Sequence, residues 1–288
     1  MKYPLFSPNF QKHHSLVSQK NLFLEVFHKR SHLHSFLLIP ADTAPSWFYR
    51  PFANILFSLG YNVFLMNYFD PATVNGNREY RTFDSLTYLD CLWRTVAYIK
   101  QEFSINKLTY IGHSRGGYIV QKFLEQNQKS NTSAILINSF FADPHMPPFP
   151  VTAKLVYHAL PSLWKGCLKF PRSYYLNRFF NESSFSADIL NHLYEGSNPI
   201  PARFFSLPAP IQYHRFTKGT YIYIFISLKD HALPASYQTR CAEILKASFS
   251  GHLDVRINEK PGNHFSLIES PKDLSRCIAE DVIPFHLE

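Results

Sequence analysis

One stretch constrains this chain more than any other: Lys107-Leu-Thr-Tyr-Ile-Gly-His-Ser-Arg-Gly-Gly-Tyr-Ile-Val120. The β-prone run Leu108 to Ile111 leads straight into Gly112-His113-Ser114-Arg115-Gly116-Gly117, and residues patterned for a helix follow at once. Three of the chain's ten glycines fall inside those six positions. A side chain at Gly112 or Gly116 would collide with neighbouring backbone if Ser114 took a strained conformation on a sharp strand-to-helix turn. Such a turn also sets the N–H of Arg115 and a helix N-terminus beside the serine Oγ, where an anion is favoured. This is the pattern of a nucleophile elbow. A Gly-x-Ser-x-Gly motif by itself arises by chance in roughly one chain in ten of this length, so the flanking elements and the rest of the chain must carry the reading.

The remaining sequence reads as alternating strands and helices. Strands are predicted over 21–28 and 35–40, and a helix runs from Trp47 to Leu59, closed by Gly60. A buried strand follows, Tyr61 to Asn67. Asp84 or Ser85 caps a helix that carries Leu86, Leu89, Trp93, Val96 and Phe103. After strand 107–112 and helix 116–127 comes the apolar strand Ala134–Ile137. The pattern resumes with strand 220–226, a helix over 234–248 and strand 253–257. A last helix is predicted to use Ser270 as N-cap and Pro271 as its first residue. This alternation predicts an α/β fold with a mostly parallel sheet and right-handed crossovers.

Between these halves the composition changes. From Pro144 to Gly219 lie ten of the chain's twenty prolines, with aromatics that include Phe149, Tyr157, Trp164, Phe170, Tyr175, Phe179, Phe180 and Phe204. The expected organisation is a core of residues 1–142 and 220–288, with 143–219 inserted as a lid. From Pro144 to Gly219 the lid holds eight Lys and Arg against three Asp and Glu, a net of +5 within a chain total of +8. That excess suits an anionic substrate or peripheral contact with an anionic membrane. No Lys/Arg block marks a nucleic-acid groove, and no run reaches the length of a membrane span. The N-terminus lacks the apolar segment of a cleavable signal, so the expected location is cytoplasmic. His28, His32 and His34 are spaced like metal ligands, but no carboxylate follows at a useful distance, so neither metal nor cofactor is expected.

A serine nucleophile needs a base to take its proton and a carboxylate to hold that base in one tautomer. Ser227-Leu-Lys-Asp230 follows strand 220–226 and precedes a proline-started helix, which makes Asp230 the candidate acid. Asp143, after the preceding strand, is the competitor; Asp254 falls inside a strand. Gly262-Asn-His264-Phe lies on a loop after the last strand, so His264 is the candidate base. His252 precedes that strand and His286 trails the last helix. His113 is expected to pack or hydrogen-bond near the elbow rather than act as base.

With Gly112–Gly117, Ser227–Asp230 and Gly262–Phe265 in this order, the chain resembles the α/β-hydrolase superfamily over nearly all of its length outside the lid. The resemblance implies an eight-stranded, mostly parallel sheet with a lid inserted after the sixth strand. It also implies acyl transfer to water by a triad of Ser114, His264 and Asp230. The chain departs from the family at the third strand, where many members carry His-Gly and a backbone N–H that completes the oxyanion hole. Here the residues are Pro40-Ala41-Asp42. Proline has no N–H, so Arg115 supplies one donor and Ala41 or Asp42 must supply the other. A carboxylate at Asp42 would oppose a nearby oxyanion unless it points away, and loss of a donor costs on the order of 10²–10³ in rate. Two functions are therefore expected in competition. The first is a serine hydrolase cleaving esters, lipid esters or thioesters of an apolar acyl group. The alternative is a non-catalytic protein of the same fold that binds an apolar ligand.

Overall fold

The computed structural model describes residues 23–32, 34–67, 84–127, 132–141, 167–180, 185–197, 199–201, 209–258 and 262–282. Its centre is a sheet of seven strands among the described residues: β1 (Phe23–Phe27), β2 (Ser35–Ile39), β3 (Asn62–Asn67), β4 (Thr109–His113), β5 (Ser133–Ile137), β8 (Tyr221–Ser227) and β9 (His252–Asn258). They lie side by side in the order β1-β3-β2-β4-β5-β8-β9. Only β1 runs antiparallel, against β3; every other pairing is parallel. The resemblance implied eight strands; the described residues form seven. Two-residue strands β6 (Cys167–Leu168) and β7 (Ile200–Pro201) pair apart from this sheet.

Both faces are buried, which is why the central strands read as unbroken apolar runs. Successive side chains point to opposite faces. Leu37 and Ile39 pack with α2 (Ser85–Phe103), α3 (Arg115–Gln126) and α6 (Ala235–Ser248). Phe36 and Leu38 pack with α1 (Arg50–Ser58), α7 (Ser266–Glu269) and α8 (Pro271–Cys277). The chain between β5 and β8 contributes α4 (Arg172–Phe179) and α5 (Ala187–Glu195), whose Tyr175, Leu176, Leu190 and Leu193 join the second cluster. No described helix is long and apolar enough to cross a membrane.

Helix ends follow local chemistry. Asp84 caps α2, its carboxylate accepting the N–H of Thr87 at 2.9 Å. Gly60 closes α1 with φ +97, a conformation that disfavours any side chain. Two expectations are corrected. The helix predicted from Trp47 divides into a 3-10 turn, Ser46–Tyr49, and an α-helix that starts at Arg50. Pro51 forces the break: it has no N–H, and its ring tolerates only the first turn of a helix. Ser270 does not cap α8 with its side chain, because the unforeseen α7 runs directly into it and Ser266 O takes its N–H at 2.9 Å. Pro271 does open α8 as expected.

Candidate active site

The elbow lies where β4 ends and α3 begins. Ser114 adopts φ 54 and ψ −123, a positive φ that costs a non-glycine residue on the order of 1–3 kcal/mol. Its surroundings hold it there. Ser114 donates its N–H to Ile137 O at 3.1 Å, and its carbonyl accepts from Gly117 N and Phe140 N at 3.0 and 2.9 Å. The glycines are explained by crowding. A Cβ on Gly112 would sit 2.5 Å from Gly117 Cα, and one on Gly116 would sit 2.6 Å from Pro40 O and overlap Ile39 O. A Cβ on Gly117 would overlap the Ser139 side chain. Chain segments approach here more closely than any side chain allows.

Asp230 and His264 come from the ends of β8 and β9 and meet. His264 Nδ1 lies 2.9 Å from Asp230 Oδ2, with both side chains at or below 1% exposure. The N–H groups of Ala232 and Leu233 both donate to Asp230 Oδ1 at 2.8 Å, and Gln238 Nε2 donates to Oδ2 at 3.2 Å. The carboxylate is thus oriented by four donors. The His264 ring lies beside the elbow, its centroid 5.0 Å from that of His113, the residue before Ser114. Asp143, the alternative acid, falls outside the described residues.

Three polar residues that the sequence did not single out build the frame around this pair. Asn138 follows β5 with φ 43. Its amide nitrogen donates to His264 O at 2.8 Å and reaches Ser227 and Ser266 Oγ, while its carbonyl takes the Ser227 N–H at 2.8 Å. The Asn263 carbonyl accepts from the N–H groups of His231 and His264, and its amide donates to Phe180 O at 2.9 Å. Tyr49 is the third. Asn138 had a legible trace, a polar residue directly after the apolar run Ala134–Ile137; Tyr49 had none, because its hydroxyl partner His113 lies 64 residues away.

The loop after β2 is anchored throughout. Tyr88 donates its hydroxyl to Pro40 O at 2.8 Å, and Ala41 donates its N–H to the Tyr49 hydroxyl at 2.9 Å. Ala41 N–H is therefore engaged, which favours Asp42 N–H over it as the second candidate oxyanion donor beside Arg115 N–H. The Asp42 carboxylate turns onto Arg115, with Nε donating to Oδ2 at 2.6 Å. Burial pushes the Asp42 carboxyl above its ordinary range, while the Arg115 charge and hydrogen bond pull the other way. The Arg115 guanidinium lies 5.4 Å from the Phe140 ring centroid. Removing one partner of a buried ion pair strands the other, so Asp42→Ala is expected to cost about 3 kcal/mol. The measurement is the urea unfolding midpoint; an unshifted midpoint would mean that the pair adds no net stability.

The chain between β5 and β8 packs against the candidate base. Phe179, at the end of α4, meets the His264 ring edge-on at 5.3 Å between centroids. Its carbonyl accepts the Phe265 N–H at 3.2 Å, and Phe180 stacks on Phe265 at 4.8 Å and 12°. Trp47 presses against Gly196 after α5, where a Cβ would overlap its ring. Among the described residues, no cluster of three or more His, Cys, Asp or Glu is placed to hold a metal.

Comparison with known proteins agrees with this architecture. No curated protein sequence matches the chain. Among solved structures, a bromoperoxidase from Bacillus anthracis superposes with a TM-score of 0.66 at 11% identity, covering 92% of this chain and 95% of that one. An esterase from Exiguobacterium antarcticum gives 0.63 at 15% identity, covering 93% and 96%. A monoacylglycerol lipase from Paleococcus ferrophilus gives 0.63 at 14%, covering 90% and 97%. At these identities the likeness is one of fold. The family described as "Serine aminopeptidase, S33" matches residues 42–196, more than half of the chain, a span that contains Ser114 but ends before Asp230 and His264. On that match and this sheet, the chain belongs to the serine aminopeptidase S33 family of α/β-hydrolases.

Proposed function

We propose that the protein is a serine hydrolase that cleaves carboxylic esters of an apolar acyl group, lipid esters and thioesters included. The observation that carries the reading is the buried Asp230–His264 pair, at 2.9 Å, beside an elbow that holds Ser114 at φ 54. In this scheme Ser114 Oγ attacks the acyl carbonyl carbon and its proton passes to His264 Nε2. Arg115 N–H and Asp42 N–H take the charge that develops on the carbonyl oxygen. The tetrahedral adduct collapses as His264 returns the proton to the departing alcohol or thiol. Water, deprotonated by the same imidazole, then releases the acid and restores Ser114. Asp230 stays ionised and holds the imidazole with its proton on Nδ1.

Phe179 against the His264 ring and Phe140 beside Arg115 are the apolar side chains that would receive an apolar acyl group. Recognition of a substrate ammonium group, as in aminopeptidase chemistry, would need a free carboxylate at the site. Of the described carboxylates there, Asp42 is engaged by Arg115 and Asp230 by His264. The reading therefore favours neutral esters over amino-acid amides.

A fluorophosphonate probe is expected to label the protein stoichiometrically, with the adduct on Ser114 by peptide mass spectrometry. A panel of p-nitrophenyl esters, acyl-CoA thioesters and aminoacyl p-nitroanilides then ranks substrates, with medium-chain esters expected ahead of the anilides. Absence of labelling on folded protein, together with a melting temperature raised by an apolar ligand, would hand the case to the non-catalytic binding reading.

A further inference from the structure

Tyr49 lies on the 3-10 turn ahead of α1, and His113 is the last residue of β4; both are fully buried. Three hydrogen bonds run through them in line. Ala41 N–H meets the Tyr49 hydroxyl at 2.9 Å, that hydroxyl lies 2.8 Å from His113 Nδ1, and His113 Nε2 lies 2.8 Å from His264 O.

The direction of every link is forced. A carbonyl oxygen only accepts, so the proton between His113 and His264 O belongs to His113 Nε2. Burial, reinforced by the charge of His264, holds the His113 pKa well below the usual imidazole range, so the ring is neutral and carries a single N–H. Its Nδ1 is then a bare acceptor, and the Tyr49 hydroxyl must donate to it. Burial pushes the Tyr49 pKa well above the usual phenol range, so the hydroxyl keeps that proton. The lone pairs of the same oxygen take the Ala41 N–H. With both ring nitrogens committed, His113 has no site left for the Ser114 proton.

We propose that Tyr49 is a positioning residue for the ester hydrolysis assigned above, acting through His113 to fix the oxyanion loop and the His264 loop at one separation. The inference rests on that assignment. The two ends of the chain of bonds are the residue next to the candidate donor Asp42 and the backbone of the candidate base. Neither Tyr49 nor His113 touches a reacting atom in this scheme. Their effect is geometric: the imidazole and the second oxyanion donor keep a common frame relative to Ser114. The buried hydroxyl matters here, since a phenylalanine would fill the same volume but leave the Ala41 N–H and His113 Nδ1 without their partner, cutting the link between the two loops.

The test is Tyr49→Phe in the full chain, with p-nitrophenyl butyrate as substrate. Misplacement of catalytic groups by about 1 Å costs on the order of 10²-fold, so a partial loosening is expected to lower kcat about tenfold. KM is expected to stay within about twofold, because ground-state binding is untouched. Two His113 variants separate positioning from packing. His113→Gln keeps a donor for His264 O and an acceptor for Tyr49 and is expected to retain several-fold more kcat than His113→Phe. Because the links are in series, Tyr49→Phe combined with His113→Phe is expected to be no slower than the worse single variant. An unchanged kcat in Tyr49→Phe, equal impairment of the two His113 variants, or additive losses would each overturn the proposal. If a His113 variant does not fold, the kcat and KM of Tyr49→Phe decide alone. Fluorophosphonate labelling of the wild-type protein keeps the underlying assignment separate. Labelling at Ser114 with an inert Tyr49→Phe defeats only this inference, whereas no labelling defeats both.

Discussion

Asp230→Asn is expected to lower kcat for ester hydrolysis by about 10⁴-fold while the protein stays folded. The size follows from the geometry around the carboxylate. Its Oδ1 receives two backbone N–H groups, from Ala232 and Leu233, which belong to a tight turn and cannot rotate away. An asparagine must therefore put its carbonyl on that side and present its NH₂ to His264. The imidazole answers by turning Nδ1 into the acceptor and carrying its proton on Nε2. The nitrogen proposed to deprotonate Ser114 is then already protonated, and the base is lost without any gross rearrangement. Circular dichroism and steady-state kinetics on the same preparation check both halves of this statement. The companion variant Asp143→Asn is expected to stay within about threefold of wild type. A collapse in Asp143→Asn with an active Asp230→Asn would move the acid to Asp143.

The second large effect is on stability. Gly116→Ala is expected to cost more than about 4 kcal/mol, in the range reserved for severe steric or polar defects. Its Cβ would meet Pro40 O at 2.6 Å and Ile39 O more closely still. Neither carbonyl can retreat: Ile39 pairs with Gly112 in the sheet interior, and Pro40 O is held by the Tyr88 hydroxyl. For a chain of this size the loss corresponds to a fall in melting temperature of roughly 10 °C or more, or to failure to accumulate as soluble protein. Gly262→Ala is the control, since its nearest neighbour would be the Ser266 side chain at 3.2 Å. A shift within about 1 kcal/mol is expected there, because a side-chain neighbour can give way. Equal stability of the two variants would show that the approach of β2 to α3 is looser than described.

What the sequence made legible was local. The Gly112–Gly117 turn announces itself because positive φ and close backbone approach have a compositional cost that only glycine meets. Asp230 and His264 were legible through order and placement, each on a loop after an apolar run. The frame that holds them was not. Tyr49 reads as one more apolar position in an aromatic helix, and its 3-10 setting follows from a proline two residues later. Asn138 takes a positive φ that no neighbouring residue signals. Ala41 and Asp42 were equal as donors on paper, and only the hydroxyl arriving from Tyr49 separated them. Ser270 failed as a cap because a one-turn helix ahead of it was too short to leave a periodicity. Contacts between residues far apart in sequence hide the roles of Tyr49 and Asn138, while a hydroxyl eight residues on and an adjoining helical turn decide the other two.

Asn138 has a consequence for how this site meets a substrate. Its one amide group grips the end of β8, which launches the Asp230 turn, and the carbonyl of His264 on a different loop. Loosening either loop breaks bonds that belong to the other, so the two form a single cooperative unit rather than independent flaps. The ordering of Asp230 against His264 is then settled when the chain folds, and in the proposed scheme none of that entropy is left to be lost at the moment of reaction.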